Sequence, residues 1–121
     1  DELETWKRKS EVIERAEIYR EIVAISTIDE IYNTGLIIAS QSASDLLSVK
    51  GVQASFVLVR RENHIHISGR STGKINVQVI LESLGGGGHL EIAGAQVDTQ
   101  DMVEARKRLN QEIDKYIKES N

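Results

Sequence analysis

The chain has 121 residues, 40% hydrophobic and 28% charged, with 15 Lys and Arg against 19 Asp and Glu for a formal charge of −4. Such a length and balance fit one globular domain, and an acidic sum argues against broad coating of nucleic acid, so any phosphate must be held by a few aimed donors. The absence of Cys excludes disulfides, thiolate nucleophiles and Cys-based zinc sites, and no apolar run approaches the length of a membrane span.

The charged helical pattern begins at Asp1, and the expectation is a piece of a longer protein whose catalytic or membrane parts lie elsewhere. Residues 2–18 read as a helix, with Leu3, Trp6, Ser10 and Ile13 at spacings of three and four and Val12 and Ala16 widening the stripe. Ile22–Ile25 is a branched apolar run and reads as a buried strand. Gly35 marks a turn, and Leu36–Ala39 reads as a second strand. Ser40–Ser48 reads as a helix capped by its serines, with Ala43, Leu46 and Leu47 inward and Gly51 beyond its end. Ala54–Arg61 is apolar on both faces and so belongs in the middle of a sheet. Glu62-Asn63 makes a two-residue turn into a strand where His64, His66 and Ser68 alternate with Ile65 and Ile67. Ile75–Leu84 returns to helical spacing, and Leu90–Val97 is a strand of small and apolar residues. Asp98 or Thr99 caps a last helix with the stripe Met102, Ala105, Leu109, Ile113, Tyr116 and Ile117, while Arg106–Arg108 form a solvated face. The expected fold is α/β (α+β), a single domain with a mixed central sheet of about five strands flanked by helices.

Four consecutive glycines, Gly85 to Gly88, end at His89. A flexible linker explains them poorly, because a helix abuts one side and a strand the other. A crowded helix-to-strand crossing explains two glycines more easily than four. A backbone cradle explains the run: residues without Cβ can turn several N–H groups toward one point, and an anion or flat nucleotide can approach closely. His89 adds a directed donor beside it.

A second cluster, Ser68–Lys74, lies between a strand and a helix and offers Arg70, Ser71, Thr72 and Lys74 to a phosphate. Asn76 adds an amide near the helix start. The spacing is not that of a Walker A loop. An Ile75–Leu84 helix is about 15 Å long at 1.5 Å per residue, which places the two clusters at a separation suited to a dinucleotide. No Asp-x-Asp, Asp-His-His or His-Glu-x-x-His pattern is present. His64 and His66 read as an exposed strand face, since two His make an incomplete zinc site.

Ile67-Ser68-Gly69-Arg70-Ser71, Ile75–Ile80, Leu84–His89 and Ala93-Gly94-Ala95 together resemble the C-terminal accessory domain of the DHH phosphoesterases, over the chain from about Ile18 to its end. Within that family the chain is most similar to the membrane-bound bacterial phosphodiesterases of cyclic di-AMP. The resemblance implies residues 1–18 as an interdomain linker helix and 19–121 as a nucleotide-binding domain. It implies that Arg70 and Ser71 hold phosphate, that Asn76 supports the nucleotide, and that Gly85, Gly86, Gly87, Gly88 and His89 grip the phosphate or base end. An N-terminal catalytic domain of the same polypeptide would carry two manganese ions, so this chain would need no cofactor of its own and be inactive alone. The implied setting is a cytoplasmic domain of a membrane-anchored protein, without direct membrane contact. A homodimer is a further partner the Trp6 stripe allows. The alternative function is general single-stranded RNA or DNA binding for an exonuclease or nanoRNase, which needs a basic, aromatic-lined groove. With 4% aromatics and its acidic sum the chain suits it less.

Overall fold

The strand Ala54–Arg60 is buried at six consecutive positions because it has a core on each side. Phe56 and Leu58 enter one core, Val57 and Val59 the other, all four fully buried. The computed structural model describes residues 2–120, so Asp1 and Asn121, which bound the two expected segments, lie outside the described residues. The helices are α1 (Glu2–Glu14), α2 (Gly35–Leu46), α3 (Val77–Glu82) and α4 (Met102–Ser120). The strands are β1 (Glu17–Tyr19), β2 (Val23–Ile28), β3 (Ala54–Arg60), β4 (Ile65–Ser71), β5 (Gly87–Gly88) and β6 (Ile92–Val97). They form one mixed sheet in the order β1-β2-β3-β4-β6-β5. Only β2 and β3 pair in parallel. That pair needs a crossover, and α2 supplies it.

The first core packs α3 and α4 against Phe56, Leu58, Ile65 and Ile67. From α4 it takes Ala105, Leu109 and Ile113, with Met102, Tyr116 and Ile117 at its margin, as the spacing predicts. Burying Leu109 and Ile113 contributes roughly 1.5–3 kcal/mol each. The second core joins Val12 of α1 and Ile38, Ala39, Ala43 and Leu46 of α2 to Val57 and Val59. It takes no residue from β4, β5 or β6. Helix α2 also lies over β4, so the open part of the α2 face is at the β6–β5 edge.

Several expectations are corrected. Leu36–Ala39 is the first turn of α2, not a strand. Ile38, Ala39, Ser42, Ala43 and Leu46 are buried, a spacing that lays one helical face on the sheet. The serines lie inside this helix, and the cap position is Thr34, without a side-chain cap bond. Helix α1 stops at Glu14, and Glu17–Tyr19 adds an antiparallel edge strand. Leu3 and Trp6 are 64% exposed, and Val12 is the buried residue of α1. Helix α3 is shorter than expected, with Asn76 at its N-cap. Helix α4 is capped by Asp101, whose Oδ1 accepts from the N–H groups of Val103 and Glu104 at 3.0 and 3.2 Å. The Glu62-Asn63 turn is as expected: the Arg61 N–H donates to the His64 carbonyl at 2.9 Å, and β3 and β4 pair in register from Ala54–Ser71 to Arg60–Ile65.

Candidate functional site

Three of the four consecutive glycines have a reason within the fold. Gly85 has φ +87°. Its N–H donates to the Glu82 carbonyl at 3.0 Å, and that of Gly86 to the Leu81 carbonyl at 2.8 Å. This bond pair closes a helix C-terminus through a left-handed residue. Gly86 lies against β6, where a Cβ would collide with the Gly94 carbonyl and sit 2.6 Å from the Ala95 Cβ. Gly88 has φ +142°, and a Cβ there would sit 2.6 Å from the Ala93 Cα. Gly87 is different. A Cβ there would meet nothing within 4 Å, and its φ lies outside the left-handed region.

Gly87 pairs with Gly94, Gly94 with Ser68, and Ser68 with Val57. Directly opposed residues share a face, so this row runs from beneath α2 out to the open β6–β5 edge of the sheet. Its outer part, Ser68, Gly94 and Gly87, carries one small side chain in three strands. Ser68 is itself buried. The neighbouring rows on the same face are Arg70 opposite Ile92 and His66 opposite Gln96. The result is a shallow trench whose open part is at Gly87, with the His66 ring lying over Gly94, Gln96 on the same rim, and Arg70 at the other rim beyond the buried Ser68. Its volume at the glycine end is about 360 Å³, lined by His66, Gly85, Gly86, Gly87, Gly94 and Gln96 among others.

Arg70 reaches the α2 face because the alternation of β4 sends Ile65, Ile67 and Gly69 to the first core. Its Nη1 donates to the Gly69 carbonyl at 2.7 Å, and its Nη2 to the Ser40 hydroxyl of α2. The guanidinium is half-buried, and burial lowers its pKa from the ordinary value. Among the described residues, six ion pairs form, and none includes Arg70. A partly desolvated cation without a carboxylate favours an anion from outside.

His66 is no open strand face. It is half-buried, and its Cε1 and Nε2 lie 3.3 and 3.5 Å from where a Gly94 Cβ would stand. Burial is the main cause of its lowered pKa, followed by the nearby positive groups of His64, Arg61 and Arg70. His64 turns to the hairpin and contacts Asn63 Oδ1 at 3.0 Å. The shared parity of His66, Ser68 and Arg70 was visible in the sequence. Which part of that face α2 leaves bare was not.

The other expected site residues sit elsewhere or act differently. Ser71 lies on the opposite face of β4 and is buried. Its Oγ accepts from the N–H groups of Gly73 and Ile75 at 2.9 and 3.4 Å. Asn76 Oδ1 accepts from the Val79 N–H at 3.2 Å as the cap of α3. The backbone N–H of Asn76 donates to the Tyr116 hydroxyl at 3.0 Å. Helix α3, from Val77 to Glu82, is roughly 9 Å long rather than 15, so it does not set the expected dinucleotide spacing. His89 is exposed at the β5–β6 hairpin, where its N–H donates to the Ile92 carbonyl at 2.7 Å. The structure thus brings Arg70 and Gly85–Gly87 to one face and leaves Ser71 and Asn76 off it.

Among the described residues, no three His, Cys, Asp or Glu side chains gather as a metal would require, so these donors do not fit the manganese centre of the resemblance. No described helix is long and apolar enough to cross a membrane.

Comparison with known proteins agrees with this fold. Residues 20–119 match the model of the DHHA1 domain. The chain is 46% identical over 119 residues to a cyclic-di-AMP phosphodiesterase, PdeA, of Listeria monocytogenes, covering 98% of this chain and 18% of that protein. It is 38% identical over 119 residues to the cyclic-di-AMP phosphodiesterase GdpP of Bacillus subtilis, again covering 18% of the relative. The chain thus spans about a fifth of the length of these relatives. Among solved structures, an exopolyphosphatase-related protein from Bacteroides fragilis superposes with a TM-score of 0.80 at 25% identity, over 93% of this chain and 34% of that one. The C-Ala domain of Aquifex aeolicus alanyl-tRNA synthetase shares the fold at TM-score 0.60 and 17% identity, over 81% of this chain and 96% of that one. The chain belongs to the DHHA1 family, as the Arg70-Ser71, Asn76 and four-glycine-His89 pattern implied.

Proposed function

We propose that this domain is the substrate-binding half of a phosphodiesterase, holding a small nucleotide by its phosphate against a catalytic domain of the same polypeptide. The observation that supports this best is Arg70, a half-buried guanidinium with no carboxylate partner among the described residues, on the same face of the sheet as the open main chain of Gly87. A planar fork pairs with a phosphate through two parallel N–H bonds, and the missing side chain at Gly87 lets the ligand approach the main chain. The identity to two cyclic-di-AMP phosphodiesterases makes cyclic di-AMP, or its linear product pApA, the leading substrate.

In this reading the other expected residues work through shape. Gly85, Gly86 and Gly88 set the course of the loop, Ser71 and Asn76 fix the turn and helix behind Arg70, and His89 borders the hairpin tip. Bond cleavage and the manganese ions belong to the catalytic domain, which would lie on the cytoplasmic side of a membrane-anchored protein. Rate would come there from a metal-activated nucleophile and here from positioning.

The test compares pApA with a ten-nucleotide RNA by titration calorimetry. A dinucleotide site binds both within about tenfold, because only one phosphate linkage engages Arg70 and the ten-mer gains no more than the statistical factor of its registers. A general single-strand groove favours the longer strand by orders of magnitude, and that result would replace this reading.

A further inference from the structure

The two rims of the trench differ in charge. Arg70 stands on one, with Ile92 opposite it. Four residues along β4, about 13 Å at 3.3 Å per residue, His66 stands opposite Gln96 on the same face. No carboxylate lines the trench at that end. Among the described residues, neither the His66 ring nor the Gln96 amide hydrogen-bonds within the protein, and none of the six ion pairs reaches them. Both lie beside Gly94, whose missing side chain lets the ring edge of His66 pack over it, and the open main chain of Gly87 lies next to them. A phosphate gains little from a neutral amide and a histidine whose burial disfavours the charged form. A flat heterocycle gains from all three: the open main chain at Gly87 to lie on, an imidazole to pack against, and an amide with both a donor and an acceptor.

We propose that His66 and Gln96 form a nucleobase subsite, in which the Gln96 amide reads an adenine edge while Arg70 takes the phosphate. This rests on the phosphate-binding reading given above. A carboxamide pairs with the N6 and N7 positions of adenine through two bonds and cannot make the same pair with guanine, which presents two acceptors there. The separation of the rims suits one nucleoside monophosphate unit of a dinucleotide.

The test follows backbone amide shifts of the labelled chain during separate titrations with AMP, GMP and ribose 5-phosphate. Ribose 5-phosphate is expected to move the amides around Arg70 and Gly87. AMP is expected to move these and also those of His66, Gly94 and Gln96, and to bind about tenfold more tightly. GMP should bind more weakly than AMP, gaining the stacking but not the amide pair. Gln96→Ala, at an exposed position, should remove most of the AMP advantage and leave ribose 5-phosphate unchanged. If AMP and ribose 5-phosphate move the same amides with equal affinity, if GMP matches AMP, or if Gln96→Ala keeps the preference, the base subsite is wrong while phosphate binding stands. If no ligand moves Arg70 or Gly87, the phosphate reading fails and the subsite falls with it.

Discussion

Gly87 and Gly94 stand directly opposite one another in the β5–β6 ladder, on the face of the sheet that Arg70 and His66 share. The fold needs Gly86 and Gly88 to be glycine, because a Cβ at either would run into β6. It makes no such demand at Gly87, which faces open space. A bare position with room above it, two strands from an uncompensated guanidinium, is where a ligand can touch the main chain.

This separates two substitutions that look alike in sequence. Gly87→Ala should leave thermal stability within about 1 kcal/mol of the parent, since the new methyl meets nothing. It should still weaken pApA binding by about tenfold or more, because the methyl stands on the trench floor. Gly86→Ala should cost at least about 1–3 kcal/mol of stability through overpacking against β6. Thermal melts and titration calorimetry on both proteins check the pair. Equal effects on stability would contradict the division.

Arg70→Ala removes the cation that, among the described residues, stands at the rim without a carboxylate partner. Affinity for pApA should fall by roughly ten- to a hundredfold, in line with about 1.5–3 kcal/mol for a charge-assisted hydrogen bond. Arg70→Lys should recover only part of the loss, because an ammonium keeps the charge and not the planar fork. Calorimetry at two salt concentrations reads both effects, since a phosphate contact also weakens as salt rises.

Asn76→Ala tests a residue that the resemblance placed at the substrate and the structure places at a helix start. Loss of its cap on the Val79 N–H should cost about 1 kcal/mol of stability. Binding of pApA by the remaining folded protein should change less than about twofold. A denaturant melt and a titration at low temperature distinguish the outcomes. A large loss of affinity with no loss of stability would return Asn76 to the site.

Much of the fold was legible from residue type. The β3–β4 hairpin shows alternation, central burial and a two-residue turn at Glu62-Asn63. The stripe of α4 from Met102 to Ile117 keeps helical spacing over its length. Leu36–Ala39 was misread because a short branched apolar run fits a buried strand or a buried helix equally well. The choice is made by the turn that follows, where Ser42, Ala43 and Leu46 continue the same buried face. Strand β5 is two glycines, with no side chains to show a pattern. The edge strand Glu17–Tyr19 is too short to have a period. Arg70 and the glycine run could be picked out as ligand-binding types. His66 and Gln96 could not, because their shared rim depends on the β4–β6 register, and that pairing joins residues thirty apart in sequence.

The His66 imidazole gives a pH signature. Its pKa lies below the ordinary 6.5, mainly through burial. The neutral ring is the form the fold accepts, so the unfolded chain takes up this proton more readily. The stability linked to His66 is therefore present above pH 6.5 and is lost as pH falls through the window between that value and the lower folded-state pKa. Ring-proton shifts followed by NMR should show His66 titrating at a lower pH than a free histidine. The slope of stability against pH just below 6.5 should shrink in His66→Phe. A His66 midpoint at or above 6.5 would contradict its half-buried placement.

The most direct measurement is a titration of the labelled 121-residue chain with cyclic di-AMP, mapped residue by residue through its amide shifts. The account predicts saturable shifts at Arg70, Gly87 and Gly94 that are lost in Arg70→Ala. No saturable shift, or shifts confined to the α3–α4 side of the sheet, would contradict it.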